Sequence, residues 1–508
     1  MRIELGRLAR TGCRAYALAR RARRLAILLP VLLAAQAAHP AGILTNVGPR
    51  ISTPVGPRGP TINSIGPRFD PSFHGTPPGG NGVSNSGGNN NGNNAGANNS
   101  GGSNNGGTRN GARKTQTLSR RNLDEGVPPA GERRYVPDQV VIEVVGNLSD
   151  QRFNALLNRL HLTSVETRRI PLINTTFHLV RITDGGSVTA KIRALNAAGF
   201  TRSQPNYLFG LVQASAATAA AEAPDPSQYA VAKLHLDEAH RVALGDDVRV
   251  AVIDSGVDTT HPALAGVVEK SFDALNSSEG PHMHGTAITG IIAGHGHLSG
   301  AAPAVRILAA RAFSTTQGST VSIVASLDWA VSEHARVVNM SFAGPSDPAL
   351  ERALKAAAEV HHVVLVAATG NAGPKSPPLW PAADPHVIGV TATDYDDHLF
   401  AMANRGRQVA IAAPGVDILI ALPGNAYKME SGTSFSCAFV SGVAALLIQR
   451  NPNLTPDAVA KVLEKTAHHL GQQKTRDDLF GAGLMDALQA VSAVAPAPTD
   501  AALQVPSR

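Results

Sequence analysis

Cysteine is almost missing from this chain of 508 residues: Cys13 and Cys437 are the only two. Cys13 lies in a lead segment that reads as removable, which leaves Cys437 alone, excludes an internal disulfide and puts the burden of stability on a large buried core. Long apolar runs are missing too, apart from Leu25–Ala38 (LAILLPVLLAAQAA). A bilayer-spanning helix needs about 20 apolar residues, so no membrane span is expected once that segment is gone. Net charge is missing outside the same lead. Eight arginines against Glu4 give the first 24 residues a charge of +7, which is the formal charge of the whole chain. The sequence pI of about 9.6 therefore belongs to the lead and gives no ground for a nucleic-acid partner. Strong metal-ligand spacing is absent as well. His295-Gly296-His297 and Asp394-Tyr395-Asp396-Asp397 read as solvated loops, so no metal and no cofactor is expected.

What is present divides the chain. Residues 1–38, a basic stretch followed by an apolar core ending in small residues, have the pattern of a signal peptide, with an uncleaved N-terminal anchor as the alternative. A secreted or periplasmic location follows. Residues 39–134 contain repeated Gly-Pro-Arg and a tract of Asn, Gly and Ser. They offer too little apolar area to offset chain entropy, which predicts a disordered tether; a basic arm touching a cell envelope is the functional alternative.

From 135 to 212 the pattern changes. Val140–Val145 and Thr176–Ile182 read as strands, Ser149–Leu160 and Ser187–Ala198 as helices, and Asn206–Val212 as a last extended piece. The order β-α-β-α-β fits a small ferredoxin-like α+β domain. Residues 213–227 form an Ala-rich linker ending in two prolines, open to cleavage or to service as an uncut hinge. Residues 228–494 alternate apolar strands with helices, which predicts an α/β fold with a mostly parallel sheet covered on both faces. Residues 495–508 read as a disordered tail. The small domain carries eight basic and five acidic residues and the large one is net acidic, so docking of one on the other is favoured modestly by charge.

Three short segments carry the chemistry. Asp254-Ser255-Gly256 follows the buried-strand run Val248–Ile253, so Asp254 stands at a strand's carboxyl end, where ligands gather in open α/β sheets. Alone, Asp-Ser-Gly is ordinary turn chemistry. His284-Gly285-Thr286 opens an apolar helix. His282 competes with His284 for a general-base role, but only His284 has the Gly-Thr that lets the backbone turn into the helix. Gly432-Thr433-Ser434 opens the apolar stretch Phe435–Gln449, where a serine gains from the helix dipole and its own N–H can face a developing oxyanion; a plain N-cap is the bland reading. Between His and Ser, Asn371 follows the strand Val363–Ala368 in Thr369-Gly370-Asn371. Cys437, one turn into the last helix, reads as a small packed residue.

The order Asp, His, Ser resembles the subtilase family of serine peptidases, the more so with Thr259-Thr260-His261-Pro262 after the aspartate. The resemblance covers residues 229–494 strongly and 135–212 moderately. It implies that Ser434 is the nucleophile, His284 the base, Asp254 its orienting carboxylate and Asn371 an oxyanion donor. It also implies that Ser341, Phe342, Ala343 and Gly344 form one wall of the substrate site and Ala368, Thr369 and Gly370 the other. Departures from the family pattern are Ala287 after His-Gly-Thr, Ala343 for a usual Gly, and Phe435-Ser436-Cys437-Ala438 for Met-Ala-Ser-Pro. Residues 135–212, with Gln204-Pro205-Asn206-Tyr207, resemble the family's inhibitory propeptide, whose tail, here Tyr207–Gln213, would lie in the cleft as an intramolecular inhibitor. The expectation is a secreted, monomeric serine endopeptidase made as a zymogen and acting on a protein or peptide substrate. The rivals are a catalytically silent subtilase-like extracellular binding protein and an envelope-attached protein whose Asn/Gly arm is the working part.

Overall fold

The computed structural model describes residues 123–212, 228–471 and 475–496. The readings made for 1–38, for the tether up to 122, for the linker 213–227 and for the tail beyond 496 lie outside the described residues.

The N-terminal part folds around a sheet in the order β2-β3-β1-β4, with β1 at Tyr135–Val145, β2 at Leu162–Ile170, β3 at Thr175–Ile182 and β4 at Ser203–Leu211. All three pairings are antiparallel. Two helices, Asp150–Arg159 and Val188–Ala197, complete a β-α-β-β-α-β order. Their apolar stripes, Phe153, Leu156 and Leu157 on one and Val188, Ile192 and Leu195 on the other, pack on Val140, Ile142 and Val180. The sequence reading had three strands here and lacked β2. The reason lies in its residues: in LTSVETRRI only the two ends, Leu162 and Ile170, are buried, so the period-2 apolar signal never forms. The expected tether, residues 39–134, overlaps this fold at its end. Residues 123–134 belong to this fold, since the Asn196 amide donates to the carbonyls of Leu123 (2.9 Å) and Glu125 (2.8 Å) and Val127 packs against the small core.

The larger part is built on a seven-stranded sheet, ordered β14-β13-β12-β10-β5-β7-β6, in which every pairing is parallel. Its strands are β5 (Arg249–Asp254), β6 (Val268–Asp273), β7 (Arg306–Arg311), β10 (Val337–Met340), β12 (Val364–Ala368), β13 (Val387–Thr393) and β14 (Ile411–Pro414). They read as nearly unbroken apolar runs because both faces are covered. Val250 and Val252 of β5 face a core shared with the helices Met283–Ala293 and Thr433–Arg450. Ala251 and Ile253 face the opposite core, with Thr320–Ser332 and Pro348–Glu359. Thr433–Arg450 is long and apolar enough to cross a membrane, yet 89% of it is buried inside the protein; an all-round apolar helix is what the centre of such a core requires. Because the strands run parallel, Asp254 at the end of β5 and the turn after β12 reach the same rim of the sheet.

β4 joins the two parts. Its first half pairs with β1. Its second half pairs antiparallel on one side with β9 (Gln317–Ser319), itself paired with β8 (Phe313–Ser314), and on the other with β11 (Phe342–Ala343). Behind it, Asp347 is fully buried and caps the helix Pro348–Glu359 by accepting from the N–H groups of Ala349 (3.0 Å) and Leu350 (3.2 Å). It also accepts from Gln204 Nε2 at 2.6 Å and Thr320 Oγ1 at 2.5 Å. The ion pair across the junction runs against the net charges: Glu143 of the basic N-terminal part is buried between Arg202 and Arg352, the latter from the acidic larger part.

Burial pushes the Asp347 carboxyl above its ordinary range, against the pull of its hydrogen bonds. A carboxyl whose folded pKa is raised favours the fold while protonated, and this contribution is lost as pH climbs from the unfolded value, about 3.9, through the folded one. Asp347→Asn is therefore expected to remove part of the fall in stability above about pH 4, seen as a flatter Tm-against-pH curve than that of the parent. Asp347→Ala, which strips the cap and leaves Gln204 and Thr320 without their acceptor, is expected to lower stability by about 2–3 kcal/mol in a denaturant titration.

Candidate active site

Asp254 is wholly buried at the end of β5. Its Oδ1 accepts from the Ser255 N–H at 2.7 Å and from the Ser255 hydroxyl at 3.1 Å. His284 sits in the first turn of Met283–Ala293 and donates from Nδ1 to Asp254, 2.8 Å from Oδ1 and 2.9 Å from Oδ2. That bond fixes the tautomer and leaves the Nε2 lone pair free; Nε2 is buried and without a hydrogen bond among the described residues. The His-Gly-Thr spacing has a local cause. A Cβ at position 285 would stand 2.5 Å from the Ser255 carbonyl oxygen, so only glycine lets this helix start against the Asp254 turn. Thr286 Oγ1 ties the two together, accepting from the Asp258 N–H at 3.0 Å and donating to the His282 carbonyl at 2.9 Å. His282, the competing histidine, is the N-cap: its Nδ1 accepts from the His284 N–H at 3.3 Å, and burial lowers its pKa.

Ser434 lies in the first turn of Thr433–Arg450 and is fully buried. Its hydroxyl donates to the carbonyl oxygen of Val212, just past β4. Asn371 Nδ2 lies 3.5 Å from the same oxygen. The Asn371 amide is aimed there because its Oδ1 is held by the Thr433 N–H (3.1 Å) and hydroxyl (2.8 Å). The turn that delivers it requires Gly370, whose φ is +109° and where a Cβ would press on Asn404 Nδ2 at 2.4 Å. Phe435, which follows Ser434, has its ring centroid 6.4 Å from the imidazole of His284. Asp254, His284, Asn371 and Ser434 thus gather at one rim.

The residues read as substrate walls behave differently on the two sides. Ser341 accepts the Val212 N–H on its carbonyl at 3.2 Å. Phe342 and Ala343 pair with Leu211 and Gly210. Gly344 lies so close under Phe209 that a Cβ there would be 2.2 Å from the ring. Ala368, Thr369 and Gly370 instead build the scaffold: Thr369 bonds Val390 and Asn404, and Gly370 donates to Thr433 Oγ1 at 3.3 Å. The far side of the 208–212 strand is formed by β9 and by Thr316, whose carbonyl accepts from Leu211 N–H at 3.1 Å. Sequence reading missed this wall because three residues with a central glycine give no strand signal. It also missed Trp380, which exchanges backbone bonds with Gly344.

The groups set aside as metal candidates have structural partners. His295 bonds the carbonyls of Ala263 and Ala265, and Asp394 accepts from the N–H groups of Asp396 and His398. Among the described residues no cluster of three His, Cys, Asp or Glu is arranged to hold a metal ion. A cavity of about 1020 Å³ is lined by Trp380, Asp384, His386, Arg407 and Arg476. It includes none of Asp254, His284, Asn371 or Ser434, so its size says nothing about the chemistry.

Comparison with known proteins bears on this geometry. The sequence model of the Subtilase family matches residues 245–483. The thermophilic serine proteinase of Bacillus sp. (strain AK1) is 33% identical over 349 residues, 66% of this chain and 82% of that protein. The chain belongs to the subtilase family. Subtilisin E of Bacillus subtilis (strain 168) is also 33% identical, over 48% of this chain and 65% of its own length. Fervidolysin from Fervidobacterium pennivorans, a keratinolytic enzyme related to subtilisin, superimposes with a TM-score of 0.61 at 25% identity, over 74% of this chain and 63% of that one. The chain thus spans just under two thirds of the latter two. As a member of this family the protein is a serine endopeptidase with the subtilisin-like α/β fold.

Cys437 is fully buried in the Ser434 helix, and burial pushes its thiol up to about 12. The thiolate is the reactive form, so iodoacetamide at pH 8 is expected to leave Cys437 unmodified in the folded protein and to alkylate it fully in guanidinium, read by intact-mass spectrometry.

Proposed function

We propose that this subtilase is synthesised as a zymogen, exported, and activated by cutting its own chain after Val212. Ser434 Oγ attacks the peptide carbonyl carbon as His284 Nε2 accepts its proton. Asp254 holds the imidazole and stabilises the imidazolium that forms. The tetrahedral oxygen is stabilised by Asn371 Nδ2 and the Ser434 N–H at the positive end of its helix. The imidazolium then protonates the leaving amine, an acyl ester of Ser434 remains, and a water activated by His284 hydrolyses it.

The observation that carries this reading is the Val212 carbonyl oxygen, bonded by the Ser434 hydroxyl and faced by the Asn371 amide. An extended strand delivers it, with backbone bonds on both sides. The N-terminal part is in this reading the inhibitory propeptide, its last strand occupying the site in the manner of a product. The same contact accounts for His284 Nε2 having no hydrogen bond from the Ser434 hydroxyl: a peptide carbonyl competes for its proton. The basic lead and the apolar run Leu25–Ala38 support secretion or periplasmic export. A protein or peptide bound as an extended strand is the substrate, the enzyme acts as a monomer, and no cofactor takes part. A silent binding protein is not favoured, since the chain's relatives are proteases.

N-terminal sequencing tests the reading. The parent protein is expected to yield a chain beginning at Gln213, and Ser434→Ala to keep the Val212–Gln213 bond intact; the same processed end in both would overturn self-cleavage. Asn371→Ala is expected to lower kcat by about 10²–10³-fold with little change in KM, the range known for loss of this donor in subtilisin itself.

A further inference from the structure

Beneath the nucleophile turn lies a closed polar network inside an otherwise apolar core. Asn339, the third residue of β10, is fully buried. Its Nδ2 donates to Ser341 Oγ at 2.9 Å. Its Oδ1 accepts from Cys437 Sγ at 3.2 Å and from Ser441 Oγ at 3.0 Å. The Ser341 hydroxyl, having accepted from the amide, spends its own proton on the carbonyl oxygen of Ser434 at 3.1 Å. Ser434, Cys437 and Ser441 are spaced i, i+3, i+7, so one face of the Ser434 helix is pinned to β10 at its first, second and third turns. The main chain of Ser341 meanwhile holds the N–H of Val212. One residue therefore grips the bound strand by its backbone and the nucleophile by its side chain.

Resting on the reading of Ser434 as the nucleophile, we infer that Asn339 is a positioning residue for the reaction. It sets the direction of the Ser341 hydroxyl and thereby fixes the Ser434 turn relative to the strand that β11 presents. The chemistry of the amide decides this. A hydroxyl beside an amide N–H accepts and is left to donate elsewhere. A hydroxyl beside a carboxylate donates to it and abandons its other acceptor. Asn339→Asp keeps shape and volume but reverses that direction, releasing the Ser434 carbonyl. Buried networks of this kind matter through all their members together, and small displacements of a reacting group are costly in rate.

The test measures kcat and KM on an apolar peptide for the parent, Asn339→Asp, Ser341→Ala and the double variant. Each is normalised to sites titrated with a fluorophosphonate, so that misfolded protein does not count. Both single variants are expected to lose about tenfold in kcat, with KM within about twofold, the loss expected for one buried hydrogen bond that holds the nucleophile. The double variant is expected to be no slower than the slower single one, because both act through one bond. Unchanged kcat per titrated site in both single variants, a loss carried by KM, or losses that multiply in the double variant would each overturn the inference. Ser341→Ala buries no charge and keeps the question open to decision if Asn339→Asp fails to fold. A parent protein that takes no label at Ser434 would instead defeat the underlying functional reading.

Discussion

One oxygen atom organises this molecule. The carbonyl of Val212 is bonded by the Ser434 hydroxyl, faced by the Asn371 amide, and delivered by β4, whose other end pairs with β1 of the N-terminal part. Every larger feature serves that meeting. The parallel sheet brings β5 and β12 to one rim, so that Asp254 and Asn371 arrive together. Two helices start at that rim and hold His284 and Ser434 in their first turns, and the dipole of the second favours negative charge beside Ser434. Glycines at 285 and 370 are there because a Cβ at either would collide with the neighbouring loop.

The junction between the two parts depends on burial and directional bonds more than on net charge. Opposite net charges favour approach, but the contacts that fix the pose are specific. Glu143 is sandwiched by arginines, Gln204 is locked to the helix cap at Asp347, and Leu172 N–H bonds Asp328 at 2.7 Å. The Glu143 and Gln204 contacts would each leave a buried polar group unpaired if only one partner moved, which makes the docked pose specific. Phe209 against Phe342 adds apolar contact, with ring centroids 6.0 Å apart at 85°.

Much of this was legible in the sequence, and the reasons are physical. Strands covered on both faces are unbroken apolar runs, so Val248–Ile253 and Val363–Ala368 announced the sheet, and glycines forced by close approach announced the turns after them. The order of Asp254, His284 and Ser434 then pointed to the chemistry. What stayed hidden lacks a local signal. β2 exposes nearly everything except its ends. The wall formed by Thr316 and β9 is too short for periodicity. Asn339 sits in a strand as one polar letter among apolar ones, and its three partners come from β10's own end and from a helix about a hundred residues later. Cys437 read correctly as a small buried residue, but its hydrogen bond to Asn339 depends on tertiary packing that no spacing rule contains. Of the two candidate histidines, the one followed by Gly-Thr is the one bonded to Asp254; that the other is the cap of the same helix is visible only in the fold.

The central claim is that the Ser434 hydroxyl is the reactive group and that the chain ending at Val212 competes for it. Mass-spectrometric mapping of a fluorophosphonate adduct on the processed protein, with and without an added peptide spanning residues 203–212, tests both halves at once. The account predicts one adduct, on Ser434, whose formation slows as the peptide is added. Labelling at another residue, or labelling of Ser434 at a rate indifferent to the peptide, would contradict it.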